Sequence, residues 1–528
     1  PPAPRSARPA GGPRAGGRAA GVAAPARPPL LLAAAASVAA AAAAVPLVHL
    51  VVRSVETGTA GVRDALGGAR VGEYVAHSLL LTLAVTATAL VLGTASAVVL
   101  TRRAVPGARA WLLVSALPLA VPSFLAAYGW LVIRPSLAGF VPSWLLLTAV
   151  TTPYVTLPVA AALRAAAADP ERVARTLGRG PAGAFLLATW PQVRPAAVAG
   201  ALLAALYCLS DFGLVALLRL PTLTWGINSA YAAGFDRAQA ATLALLLVVL
   251  AMVVVAGERR ARGGGPGPAP RPAAAPPLRL REAPAAVLVL GAAPVVGVLV
   301  PLTGLGMRLV EAETLRAVDP GRLASAAAAT LGVAAAAAVA AVLVAVPLAA
   351  LAARHRGAFV AVVESVGYLG HAVPGIVVGL SLVFFTLSVV PALYQTTIAL
   401  VFAYVVLFLP KAVGTLRAGL ATVPPPLTAV ARTLGSSAAG AWLRVTVPLA
   451  LPSAGIGALL VAIATMKELP ATLLLRPTGL ETLATELWSR TVVFQFGAAA
   501  PYAALLVVLA AVPAAVLSGV RGVARGEP

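Results

Sequence analysis

The chain has 528 residues, of which 60% are hydrophobic and only 11% charged, with a formal net charge of +22. A soluble domain carries roughly a quarter charged residues, so this composition argues against a water-soluble globule and for lipid as the main solvent. The positive charge is almost all arginine, and no aromatic-rich basic module or zinc spacing accompanies it, which argues against nucleic-acid binding.

Residues 1–29 are rich in Pro, Gly, Ala and Arg, lack apolar periodicity and are expected to be a disordered basic tail. The apolar run 30–52 follows this basic stretch as the core of a secretory signal would. It is long enough to span a bilayer and is read as an uncleaved first helix. Further apolar runs fall at about 77–101, 110–133, 141–166, 196–218 and 239–257, then at about 285–306, 326–352, 359–387, 396–415, 452–474 and 500–520. The expected fold is therefore an all-α polytopic membrane protein of about twelve transmembrane helices. The stretch 258–284, ERRARGGGPGPAPRPAAAPPLRLREAP, combines Pro, Gly and Arg as a flexible linker does. It separates a six-helix half, 30–257, from a second, 285–523.

Arginine placement sets the expected orientation. Arg5, Arg8, Arg14, Arg18 and Arg27 precede the first run, Arg102 and Arg103 follow the second, and Arg259, Arg260 and Arg262 follow the sixth. Arg354 and Arg356 follow the eighth, and Arg521 and Arg525 the last. With alternating spans all fall on one side, which the positive-inside rule makes cytoplasmic. The chain is thus expected in the cell membrane with both termini cytoplasmic.

Two of the expected cytoplasmic segments align without a gap. VARTLGRGPAGAFLLATWPQVRPAAVAGALL begins at Val173, and VARTLGSSAAGAWLRVTVPLALPSAGIGALL begins at Val430. The offset of 257 residues pairs Ala174 with Ala431, Arg175 with Arg432, Leu177 with Leu434, and Gly178 with Gly435. It also pairs Phe185 with Trp442, Pro191 with Pro448, and Asp211 with Glu468. Duplication of a membrane unit is the simplest reading. A glycine in the left-handed region can end one short helix at little steric cost. A second short helix presenting Phe185 or Trp442 as an apolar knob is expected next, with Pro191 or Pro448 marking the return into the membrane.

This pattern resembles the EAA loop of binding-protein-dependent ABC importer permeases, which docks into a cleft on the ATPase subunit. The family places Glu-Ala-Ala, three residues, then Gly. Here those first positions are Arg172-Val173-Ala174 and Ala429-Val430-Ala431, so the acid is missing from both copies, although Glu171 lies beside the first. Docking through the Gly and aromatic positions is expected instead. SDFGLVALLRLPTLTWGINSAYAAGFDRAQAATLALLL (210–247), GYLGHAVPGIVVGLSL (367–382) and MKELPATLLLRPTGLETLATELWS (466–489) extend the resemblance to ferric-iron importer permeases with two fused halves. That resemblance covers most of residues 77–523. It implies a type I permease fold, partner ATPase subunits, two of them, holding the ATP and Mg, and an extracytoplasmic substrate-binding protein. Related permeases for thiamine, polyamines, sulfate and phosphonates share the architecture, so the substrate stays open among these.

The residues carry no energy source or catalytic cluster. The chain has two lysines, Lys411 and Lys467, preceded by Pro410 and Met466, and neither fits a P-loop. No G-x-S-x-G elbow occurs. The single Cys208 allows no disulfide framework and no Cys-based zinc site. The histidines, His49, His77, His355 and His371, form no HExxH pair, and His371 reads as a hydrogen-bonded interior residue. No resident metal or cofactor is expected on this chain. Asp211, Lys467 and Glu468 fall near the ends of the fifth and eleventh runs. Ionisable groups at membrane depth usually face a cavity or each other. They are candidates for a translocation pathway, the alternative being helix capping or pairing of Glu468 with Lys467 or an arginine. Pro122 and Pro374, each after a valine, can bend their spans and shape a path or gate. An ion-coupled secondary transporter also has twelve spans and an internal repeat, but has no need of duplicated cytoplasmic loops.

Overall fold

In lipid, a single chain segment can satisfy every backbone N–H and C=O only by bonding them internally, which a helix does. Every regular element among the described residues is accordingly a helix. The computed structural model describes residues 28–56, 58–167, 169–232, 234, 236–261, 278–316 and 318–523. Most of the basic tail, the middle of the linker and the side chain of His371 lie outside the described residues.

In the first half, α1 is Leu30–Glu56 and α2 is Val71–Arg102. The third apolar run is split into α3, Ala108–Leu119, and α4, Ser123–Ile133, which meet at 91°. Next come α5, Phe140–Ala165, and the short α6, Asp169–Thr176. They are followed by α7, Pro181–Ser210, α8, Gly213–Leu217, α9, Leu223–Ala232, and α10, Arg237–Ala261. The second half begins with α11, Leu280–Leu309, α12, Pro320–Arg354, α13, Ala358–Gly367, and α14, Gly375–Val389. It continues with α15, Thr397–Thr422, α16, Pro425–Thr433, and α17, Ala438–Met466. It closes with α18, Pro470–Leu475, α19, Leu483–Val492, and α20, Phe496–Val523.

Ten of these helices are long and apolar enough to cross a bilayer, against about twelve expected. The difference lies in the third and ninth runs. Each is interrupted at a proline: Pro122 and Pro374 stand before α4 and α14 in extended conformation, with ψ of 142° and 144°. A proline cannot donate the helical hydrogen bond and pushes its predecessor out of the helical region, so the chain turns there. The fifth and eleventh runs also end earlier than hydropathy suggests, at Ser210 and Met466, with short separate helices beyond.

The helix that follows each conserved-offset glycine is not a separate short piece. Pro181–Ser210 and Ala438–Met466 run continuously, through π-helical turns at Phe185–Thr189 and Trp442–Thr446. A third π turn, Val295–Leu299, lies in α11. All three are followed two residues on by proline: Pro191, Pro448 and Pro301. The wider turn accommodates the hydrogen bond that proline cannot make, and so the helix continues where the sequence suggested a break.

The first helix of each half packs on the other half. Ala36, Ala40 and Leu50 of α1 are buried in one core with Ala337, Ala341, Val363 and Val377 of the second half. Reciprocally, α11 lies on α4: Gly129 and Gly304 leave no room for a Cβ at the crossing, and Trp130 Nε1 donates to the Val296 carbonyl at 2.9 Å. Tyr128 Oη donates to the Phe496 carbonyl of α20 at 2.8 Å. This exchange joins the halves through close small-residue packing, the main means of helix association where lipid removes the hydrophobic drive.

Candidate functional site

The two loops related by the 257-residue offset are built from the same backbone. α6 and α16 end at Gly178 and Gly435, whose φ values are +83° and +89°. The Gly178 N–H donates to the Arg175 carbonyl at 3.0 Å and the Arg179 N–H to Ala174 at 3.1 Å. In the second loop the Gly435 N–H donates to Arg432 and the Ser436 N–H to Ala431, each at 3.0 Å. This pair of bonds closes a helix end around a left-handed glycine and satisfies carbonyls the helix leaves free. Ala174, Arg175, Ala431 and Arg432 thus supply backbone acceptors to their turns.

Just before each glycine a leucine stands out: Leu177 is 77% exposed and Leu434 80%. One turn earlier Val173 and Val430 are exposed on the same helices. Phe185 and Trp442, expected as the knobs, are half-buried at the start of the π turns, and Phe185 packs on the core that holds Val159 and Val193. The exposed apolar surface is therefore carried by Leu177, Leu434 and their valines, together with Leu186, Leu187 and Leu443 of the π turns. Pro191 and Pro448 are exposed in the first turn after the π segments.

The loops differ in how they are anchored. Glu171 is buried on α6 and pairs with Arg102 at 3.1 Å and Arg175 at 3.0 Å, while Thr189 donates its hydroxyl to the carboxylate at 2.6 Å. In the second loop Arg354 donates to Thr446 at 3.4 Å, and Thr428 occupies the position corresponding to Glu171.

Asp211 and Glu468 each follow a long helix and cap a short one. Asp211 Oδ1 accepts the N–H of Leu214 at 3.0 Å and more distantly that of Val215 at 3.4 Å. Its other oxygen accepts the Ser123 hydroxyl. Glu468 accepts the Ala471 N–H at 3.2 Å. The capping alternative thus holds for both carboxylates, whereas no ion pair joins Glu468 to Lys467 or an arginine among the described residues. Both also line one cavity of about 520 Å³ between the halves. Pro122 and Lys467 line it as well. Pro374 does not; its neighbours Val373 and Gly375 do.

Among the polar cavity residues the sequence did not mark are Ser123, Tyr154, Tyr207 and Lys411. The repeat offset holds the missing signal. It pairs Tyr154 with Lys411 and Ser210 with Lys467, so both lysines occupy positions whose counterparts also face the cavity. The Lys467 ammonium donates to the Leu119 carbonyl at 2.9 Å, and that of Lys411 lies 4.7 Å from the centre of the Phe408 ring. No group of three or more His, Cys, Asp or Glu suited to a metal ion occurs among the described residues.

Comparison with known proteins agrees with this layout. The family described as binding-protein-dependent transport system inner membrane component matches residues 345–522, which contain the second loop and the lysine side of the cavity. The chain is also 31% identical, over 495 residues, to the Fe(3+)-transport system permease protein FbpB 2 of Haemophilus influenzae. That alignment covers 93% of this chain and 98% of the relative, and so takes in both halves.

Proposed function

The chain belongs to the inner-membrane permeases of binding-protein-dependent ABC importers, and from that premise we propose that it imports ferric iron through the cavity between its halves. Two ATPase subunits on separate chains hold the ATP and Mg and dock against the loops ending at Gly178 and Gly435. A binding protein outside the cell membrane delivers the substrate. Residues 30–257 and 285–523 act as two halves that rock about a shared pseudo-two-fold axis, with both termini and both loops on the cytoplasmic side.

The observation that carries this reading is the matched pair of rigid turns, each presenting an exposed leucine and valine. An exposed apolar side chain repeated at a fixed offset fits a partner surface better than it fits water. Closure of the ATPases would move α6 and α16, and the continuous α7 and α17 would carry that movement to Asp211 and Glu468 at their far ends. The iron assignment is supported by the relative's substrate and by hard oxygen ligands in the cavity.

The test is reconstitution with an ATPase and a binding protein of a ferric-iron importer of this family, following uptake of radioactive ferric iron. Leu177→Asp combined with Leu434→Asp should abolish ATP-dependent uptake and release the ATPase, with the permease still in the membrane. Retained ATPase binding would sink the docking role. Uptake of thiamine, polyamine, sulfate or phosphonate in place of iron would replace the substrate and keep the class.

A further inference from the structure

The sequence uses lysine twice in 528 residues, and the other 37 basic side chains are arginine. Both lysines face the same cavity. Their two-fold counterparts, Tyr154 and Ser210, are neutral, whereas the carboxylates Asp211 and Glu468 are kept in both halves. The cavity is consequently two-sided. The first half supplies Asp211 with Ser123, Tyr154 and Tyr207, and the second supplies both ammonium groups together with Glu468.

Glu468 acts on Lys411 through space, but no carboxylate closes an ion pair with either lysine among the described residues. Asp211 is engaged by Ser123 and two backbone N–H groups, and Glu468 by Ala471. Lys467 holds a neutral carbonyl and Lys411 an aromatic face. An ammonium at membrane depth is costly unless an anion meets it, and lysine offers a compact charge with three rotatable donors where arginine offers a fixed fork. A path for a bare cation would gain nothing from two such charges.

Resting on the reading of this cavity as the transport path, we infer that Lys411 and Lys467 form an oxyanion subsite, so that the cavity takes a small carboxylate- or phosphate-type anion. The anion enters either by itself or bound to the metal cargo, which then faces Asp211. The lysine ammoniums donate to the anion's oxygens, and no bond is made or broken.

The test uses the full-length chain in lipid nanodiscs with radiolabelled citrate, offered alone in one arm and with equimolar ferric ion in the other. Saturable binding is expected in at least one arm. Lys411→Gln and Lys467→Gln should each weaken it by about tenfold or more, the loss expected for a charge-assisted hydrogen bond. Lys411→Arg, which keeps the charge, should recover much of the binding and serves as the folded control. Binding that needs the ferric ion identifies an anion travelling with the metal; binding without it identifies a free anion. Absence of saturable binding in both arms overturns the subsite, as does unchanged binding in the Lys411→Gln/Lys467→Gln double variant. Iron uptake by the reconstituted importer is measured in parallel. Uptake without citrate binding overturns the subsite alone, and citrate binding without iron uptake overturns the iron assignment alone.

Discussion

Glu171 of the first loop and Thr428 of the second stand 257 residues apart, and most else around them is shared. Arg102 and Arg354 approach the two loops, Arg175 and Arg432 lie one turn beyond, and Thr189 and Thr446 sit fully buried behind them. Only the first loop has the carboxylate that ties these groups together. The backbone of the turns is nearly identical all the same. What the two loops share is the backbone shape of the turn; what differs is the internal anchoring. The cavity repeats the lesson, since the capping carboxylates recur in both halves and the lysines appear in one.

The shared turn is the part to break first. Valine at Gly178 or Gly435 would be forced into a left-handed conformation that costs a β-branched residue roughly 1–2 kcal/mol or more. Since no side chain crowds either position, that cost would distort the turn and spare the core. Gly178→Val and Gly435→Val should each cut substrate uptake to below about a tenth, a loss of roughly 1.4 kcal/mol in coupling, with ATP hydrolysis continuing. Assays of uptake and hydrolysis on the same vesicles separate the two. A severe loss in one variant and normal uptake in the other would mean that the matched backbones do unequal work.

The anchor comes next. Glu171→Ala leaves the buried Thr189 hydroxyl without its acceptor, though still accepting from Arg102, and removes two ion pairs that are part-buried. Breaking a buried pair costs about 3–5 kcal/mol, and the exposure of Arg175 lowers the figure here to about 2 kcal/mol. Thr428→Ala should cost under about 1 kcal/mol, the worth of an ordinary hydrogen bond. Thermal midpoints in detergent would rank them, and equal shifts would remove the distinction between the loops.

How much of this was legible before any coordinates existed varies by residue. The apolar runs disclosed the spans because lipid imposes a length and a composition on them. The loops were visible because a gapless repeat shows which residues a turn cannot change: Gly178 and Gly435, with Leu177 and Leu434 before them. The exchange of α1 and α11 between halves was not legible, since close packing of Ala36 on Ala337 or Gly129 on Gly304 leaves no local pattern. Phe185 and Trp442 are half-buried at the start of their π turns, so they stand out less than the leucines before the glycines. Lys411 was hidden inside an apolar helix, and only its offset from Tyr154 marks it. Pro122 and Pro374 each stand at a break between two helices, with a 91° bend at the first, but 252 residues separate them, so they do not share the loop offset and only Pro122 reaches the cavity.

The smallest expected effect is also the sharpest check on the comparison. The second loop already holds Arg354, Arg432 and Thr446, and it lacks an acid at position 428. Thr428→Glu would place a carboxylate one helical turn before Arg432, as Glu171 stands before Arg175, and toward Arg354. A part-exposed ion pair on a helix contributes about 0.3–1 kcal/mol, and the threonine's own contact is given up in exchange. A rise of a degree or two in thermal midpoint is therefore expected, weakening in high salt as screening grows. In the Glu171→Ala background the same substitution should stabilise by the same amount, the result expected of independent sites. A fall in midpoint at low salt would show that the second loop positions its arginines differently from the first, and that the shared backbone does not extend to shared side-chain geometry.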